Sequence, residues 1–332
     1  MNYLAFDLGA ESGRAILGQF DGERIQLSDV HRFPNTPVML PDGLHWNVLG
    51  LWSEIRKGLA QAVQMTNGNL AGMGLDTWGV DFGLLDRHGA LLGNPYHYRD
   101  SRTDGMMDAA FQRISKTDIF SQTGIQFMQL NSLYQLLAMV FHNSPQLAIA
   151  DTFLTMPDLL NYWLTGRKVC EFTNATTTQC YDPRRKTWSR PLLERLAIPT
   201  HIFPEIVQPG TILGDLRGFL AEEAGIARLP VIAPACHDTG SAVAAVPAKA
   251  ASGSGDFLWI SSGTWSIMGV EVSEPVINAQ SLEYTMTNEG GVNGTFRLSK
   301  NIMGLWPVQE CRRIWAHQGN QYSYDDLTRM AA

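Results

Sequence analysis

The chain has 332 residues, 45% of them hydrophobic and 17% charged, with a formal net charge of −7. That length supports two domains or one large one with ample core. No long basic run occurs, which argues against a dedicated nucleic-acid surface, and no apolar run approaches the roughly 18 residues of a membrane-spanning helix. The four cysteines, Cys170, Cys180, Cys236 and Cys311, make no C-x-x-C pair, so zinc and thioredoxin-like chemistry are disfavoured. No signal peptide is legible, and a reduced cytoplasmic setting is expected.

Tyr3 to Leu8 reads as a buried strand, Gly9 to Gly13 as a turn, and Arg14 to Phe20 as the returning strand of a hairpin. Ile25 to Phe33 gives a third strand after the Asp21-Gly22 turn. Val48 to Met65 is helical, because Trp52, Ile55, Leu59 and Ala62 recur at 3–4 spacing on one face. Leu70 to Leu75 is a strand that leads into Asp76-Thr-Trp-Gly-Val-Asp81, and Val80 to Leu85 continues extended. Helices are predicted over 106–115, 133–141, 156–164 and 221–227. Asn174 to Gln179 is β-branched and polar, which suits an exposed or site-lining segment. Val231 to Ala233 is a short apolar strand that leads into Cys236-His-Asp-Thr-Gly, followed by a helix of small residues. The Ala/Gly/Ser-rich stretch 248–255 is the expected domain boundary and hinge. A hairpin at 257–270, a Gly-rich turn at 289–294 and a helix at 304–317 complete the chain, with Pro307 in that helix's first turn.

Five short stretches carry possible chemistry, and each has a plain alternative. In Asp7-Leu-Gly-Ala-Glu-Ser-Gly-Arg14 the turn amides suit phosphate oxygens. Asp7 suits Mg²⁺ held through water, and Arg14 suits phosphate charge or a local carboxylate; an ordinary hairpin gives the same string. In Asp76–Asp81, Trp78 suits the apolar face of a sugar and Gly79 permits close backbone approach, or Trp78 is simply core. The mixed-charge loop His97–Arg102 either contacts substrate or braces itself. Asp238, at a helix start, suits a base that accepts a hydroxyl proton, with His237 bonded to substrate; the alternative is a helix N-cap. The hydroxyls and Gly turn of Ser261–Ser266 suit a γ-phosphate or a tight turn. The 4–14 and 257–266 segments echo one another as strand, Gly/Ser turn, strand. A duplicated fold with two such hairpins facing a cleft would produce that echo. A P-loop, G-x-G-x-x-G after a strand, H-E-x-x-H and G-x-S-x-G are all absent.

Together these stretches resemble the FGGY family of carbohydrate kinases. The resemblance is carried by DLGAESGR (7–14), DTWGVDFGLLD (76–86), YRDSRTDG (98–105), QTGIQF (122–127), MPDLLNYWLTG (156–166), EFTNATTTQ (171–179), HDTGSAV (237–243), SSGTWSIMG (261–269) and TNEGG with KNIMGLW (287–306). It implies an α/β, actin-like (ribonuclease H-like) ATPase fold with two domains around a cleft: residues 1–247 holding sugar and base, and 248–332 beginning a nucleotide-binding domain. The implied activity is ATP- and Mg²⁺-dependent phosphorylation of L-rhamnulose on O1; L-fuculose or D-xylulose as substrate, or an inactive sugar-binding fragment, remain alternatives. Position by position, the resemblance assigns Asp238 as base and Trp78, Gly79, His237, Asp238, Thr239 and Asn301 to the sugar. It assigns Ala10, Glu11, Ser12, Gly13, Arg14, Thr264 and Gln309 to the nucleotide, and Asp7 to the metal. No nucleic acid, membrane or obligate protein partner is expected. Family members are longer. The resemblance therefore implies that roughly a third of a typical length, with its adenosine-binding turn, is missing, leaving the 257–270 hairpin without partner strands.

Overall fold

The computed structural model describes residues 1–248, 257–262 and 265–332. Its first sheet is mixed and six-stranded. The strands are β1 (Asn2–Leu8), β2 (Ser12–Phe20), β3 (Ile25–Pro34), β4 (Gly72–Thr77), β5 (Thr211–Asp215) and β6 (Pro230–Ala233), in the order β5-β6-β4-β1-β2-β3. β1, β2 and β3 form an antiparallel meander, while β4 runs parallel to both β1 and β6. Alternation explains β1: Leu4, Phe6 and Leu8 are buried while the residues between them are not. Gly13, Ala15 and Leu17 do the same on β2.

Helix α1 (Val48–Thr66) buries Leu51, Ile55, Leu59 and Ala62 along one stripe and packs on β2 and β3. The Asn47 side chain caps its start by accepting from the Gly50 amide at 3.1 Å, and Asn67 ends it in the left-handed region. The other helices used below are α2 (Ser132–Phe141), α3 (Met156–Thr165), α4 (Phe172–Thr177), α5 (Gly218–Ala224) and α6 (Asp238–Ala244). The predicted 221–227 helix thus begins three residues earlier, and 106–115 is helical only over Met106–Phe111.

The second sheet has the order β7-β8-β10-β9, from β7 (Leu258–Ser262), β8 (Trp265–Val272), β9 (Thr287–Gly290) and β10 (Phe296–Met303). The expectation of an unpaired hairpin is corrected here. β10 pairs with β8 from Trp265 to Val272, so of the hairpin's two strands only β7 lies on an edge, where Leu258 and Ile260 are exposed. The predicted turn at 289–294 is also corrected, because Glu289 and Gly290 belong to β9 and are paired with Arg297 and Phe296. Helix α7 (Trp306–His317) follows with Pro307 in its first turn, and a helix the periodicity did not predict, α8 (Tyr324–Ala331), begins at a capping box on Ser323. Most of the 248–255 segment, the expected hinge, lies outside the described residues.

Of the two readings of 174–179, exposed is corrected, whereas site-lining holds at Thr177, which lines the cavity described below. Asn174 to Thr177 lie in α4, and every residue from Phe172 to Gln179 is buried. Glu171 is the reason: its carboxylate accepts from the amides of Thr173 and Asn174 at 2.9 and 3.2 Å, which starts a helix that β-branched propensity would not.

Candidate active site

Parallel β1, β4 and β6 bring three chain ends to one edge of the first sheet, where α/β folds place their ligands. Asp7 on β1 is in register with Asp76 on β4. The chain leaving β6 is tied to β4 by the Thr77 amide, which donates to the Cys236 carbonyl at 2.9 Å. His237 caps α6 and Asp238 is its first residue, so the N-cap alternative for Asp238 is corrected by one position. The Asp238 carboxylate accepts from the Thr239 amide at 2.6 Å and lies 3.4 Å from Nε2 of His237. An anion in a first helical turn is favoured by the helix dipole.

Asp238 opens into a cavity of about 370 Å³ to which both sheets contribute. Of the sugar-assigned residues, Trp78, Gly79, His237, Asp238 and Asn301 line it, together with Ala10 of the β1–β2 turn. Thr239 is not among the lining residues; it serves Asp238 instead. Asn301 reaches in from β10, its amide 3.4 Å from the Met128 sulfur. Trp78 is only 5% exposed. It is mainly core: its ring lies 4.0 Å from Trp46, and its indole N–H donates to Asp81 at 2.9 Å. Gly79 approaches Thr177 so closely that a Cβ would sit 3.1 Å from that side chain. The His97–Arg102 loop braces itself and also borders the cavity. Arg102 braces, stacked 3.9 Å over Tyr96, while Tyr98 and Arg99 face the cavity.

Several contributors lie within or near the quoted motifs but have no role assigned there. Asp81, fully buried, accepts from Trp46, Trp78 and Gln135 at 2.6, 2.9 and 2.8 Å. Burial pushes its carboxyl up to about 6, against the opposing effect of those donors. Val80 holds φ at 68°, a strained value for a β-branched residue, and is pinned by Thr177 at 3.1 Å and by Ser132. Glu171 accepts from the Cys236 amide at 2.9 Å, and its carboxyl is pushed up to about 7 by burial. Glu289 and Arg297 come from the second sheet and meet His237. No local spacing signals such a long-range contact.

The nucleotide-assigned residues divide. Arg14 is paired with Asp7 at 2.9 and 2.7 Å, the carboxylate option left open above. Ser12 is exposed and Gly13 buried at the start of β2. Glu11 faces Gln309 of α7 across a separate cleft of about 790 Å³, walled further by Arg312, Tyr322 and Tyr324. Thr264 lies outside the described residues.

Asp76 sits behind the cavity with Oδ1 buried and unpartnered. Burial pushes its carboxyl well above the usual range, and the charges of Asp7 and Asp238 push it further. Among the described residues no three His, Cys, Asp or Glu side chains form a metal cage. Two adjacent carboxylates, one with an orphaned oxygen, fit Mg²⁺, which takes few protein ligands and keeps its waters.

Comparison with known proteins identifies the frame. Residues 2–245 match the N-terminal domain of the FGGY family of carbohydrate kinases, and residues 258–332 match its C-terminal domain. The chain is 44% identical over 329 residues to a rhamnulokinase of Oceanobacillus iheyensis, covering 99% of this chain and 68% of the relative. It is 44% identical over 314 residues to a rhamnulokinase of Bacteroides thetaiotaomicron, covering 95% and 64%. The chain thus spans about two thirds of the length of these relatives. A gluconate kinase from Lactobacillus acidophilus superposes with a TM-score of 0.81 at 17% identity, covering 94% of this chain and 62% of that one. Plasmodium falciparum glycerol kinase with ADP gives 0.77 at 16% identity, covering 93% and 62%. The fold is therefore the actin-like α/β arrangement expected from the motifs. The architecture and both family matches lead to one conclusion: the chain belongs to the FGGY family of carbohydrate kinases.

Proposed function

We propose that this chain carries the site of an ATP-dependent ketose kinase, with L-rhamnulose phosphorylated on O1 and Asp238 as the base. The observation that supports this most is Asp238 itself, a 38% exposed carboxylate on the wall of a cavity lined from both sheets. Relatives named rhamnulokinase support the choice of sugar. In this reading the Gly79 backbone and Asn301 hold the ketose while Asp238 orients the reacting hydroxyl and takes its proton late in phosphoryl transfer. His237 stands at Nε2 beside the same carboxylate. Residues 10–14, from the β1–β2 turn into the start of β2, face the phosphates, and the adenosine side lies toward Gln309 and Glu11. Mg²⁺, held by Asp7 and Asp76, would neutralise phosphate charge. Most of the rate then comes from positioning and fixed charge.

The test is ketose-dependent ADP release by the purified chain with L-rhamnulose, ATP and Mg²⁺. Asp238→Asn should lower kcat by about 10²–10⁴-fold while ketose affinity stays near that of the wild type. Full activity in that variant sinks the base assignment. A ketose-binding module without nucleotide affinity is the second reading. Calorimetry with ATP alone separates the two.

A further inference from the structure

The second sheet brings a buried cation to His237, the neighbour of Asp238. The β9–β10 register sets Glu289 opposite Arg297, and Arg297 is 1% exposed. Its Nε donates to the Gly290 carbonyl at 2.9 Å. Its Nη2 lies 3.1 Å from Glu289 Oε2 and 2.9 Å from His237 Nδ1. Glu289 Oε2 is itself 3.3 Å from that same Nδ1. One nitrogen cannot serve both neighbours in one protonation state. A guanidinium only donates, so the Arg297 contact requires a lone pair on Nδ1, whereas the Glu289 contact requires a proton there. The shorter distance and the permanent charge of arginine favour the first. The imidazole proton then sits on Nε2, on the side of Asp238, 3.4 Å away. The ring's backbone is fixed as well, since the His237 amide donates to Thr173 Oγ1 at 3.1 Å.

We propose that Arg297, held by Glu289, is a positioning residue that locks His237 in its neutral Nε2–H tautomer, so that the ring presents a donor beside Asp238. The second sheet thereby sets the hydrogen-bonding state of the group next to the base. This rests on the proposed roles of Asp238 and His237, but its test needs no turnover. The full chain is labelled with ¹⁵N-histidine, and long-range ¹H–¹⁵N correlation reads both ring nitrogens at mildly alkaline pH. His237→Gln assigns the signal by its loss. The wild type should show Nδ1 bare and Nε2 protonated, with this form in about tenfold excess or more. Arg297→Lys, which keeps a charged donor, should retain that pattern. Arg297→Met, which removes it, should invert it as Nδ1 gains a proton and donates to Glu289. A wild type with Nδ1 protonated, as Nδ1–H or imidazolium, overturns the proposal whether or not either variant folds. So does an Arg297→Met spectrum identical to that of the wild type. A chain that gives the expected spectra yet phosphorylates no ketose would count against the kinase reading and leave this one standing.

Discussion

Replacing Glu171 by Gln should remove a pH dependence from folding. The carboxylate is fully buried and accepts from the amides of Thr173, Asn174 and Cys236 and, at 2.6 Å, from the Thr173 hydroxyl. Burial nevertheless dominates and raises its carboxyl from 4.5 to about 7. A raised carboxyl means the folded state binds a proton that the unfolded state has released. The resulting stabilisation is complete below about pH 4.5 and is lost as pH rises through about 7. The two values differ by about 2.5 pH units, worth about 3 kcal/mol. Gln cannot titrate, and it leaves one of the four donors facing an amide N–H, at about 1–3 kcal/mol. Near pH 5 the variant should therefore be less stable by about that amount, and near pH 8 the deficit should vanish or reverse. Urea unfolding of both proteins at the two pH values measures this; Asp76 and Asp81 titrate in both and cancel to first order, while Asp158, raised in part by the Glu171 charge, is raised less in the variant and shifts the difference in the same direction. A stability difference independent of pH would refute the reasoning. Because Glu171 also holds the Cys236 amide one residue before His237, the variant should loosen the segment that carries Asp238 as well.

Gly13→Ala should cost about 1–3 kcal/mol by overpacking, because a Cβ there would fall 2.5 Å from Cζ of Phe33 and 2.9 Å from Leu8; an unchanged urea midpoint would contradict this. Asn288→Ala should weaken the seam between the two sheets by roughly 2–4 kcal/mol. That side chain donates to the carbonyls of Gly124 and Val276 at 2.9 and 3.1 Å and accepts from the Val276 amide at 2.7 Å. Faster hydrogen exchange at the Val276 amide, with β1 to β3 unaffected, is the expected signature.

The plainest periodic readings held, although helix ends moved and the helix at Tyr324–Ala331 gave no such signal. The alternation of Leu4, Phe6 and Leu8 and the stripe of Ile55, Leu59 and Ala62 each report one face toward a core, and they locate β1 and α1 from the sequence alone. The turn at Gly9 and the helix start near Asp238 were legible for the same reason: a few neighbouring residues carry the chemistry. Residues 172–179 went the other way, because their β-branched preference is overridden by Glu171 and by burial that no short window reveals. The second sheet's role at His237 was equally hidden. Arg297 is 60 residues from its imidazole partner, and only the register of β9 with β10 and their docking on α4 bring it there. Propensity and periodicity are properties of adjacent residues and follow from the chain itself. The state of a side chain such as Asp76, Glu171 or His237 depends on which distant groups exclude water from it and supply its donors, and that is fixed once the sheets have packed.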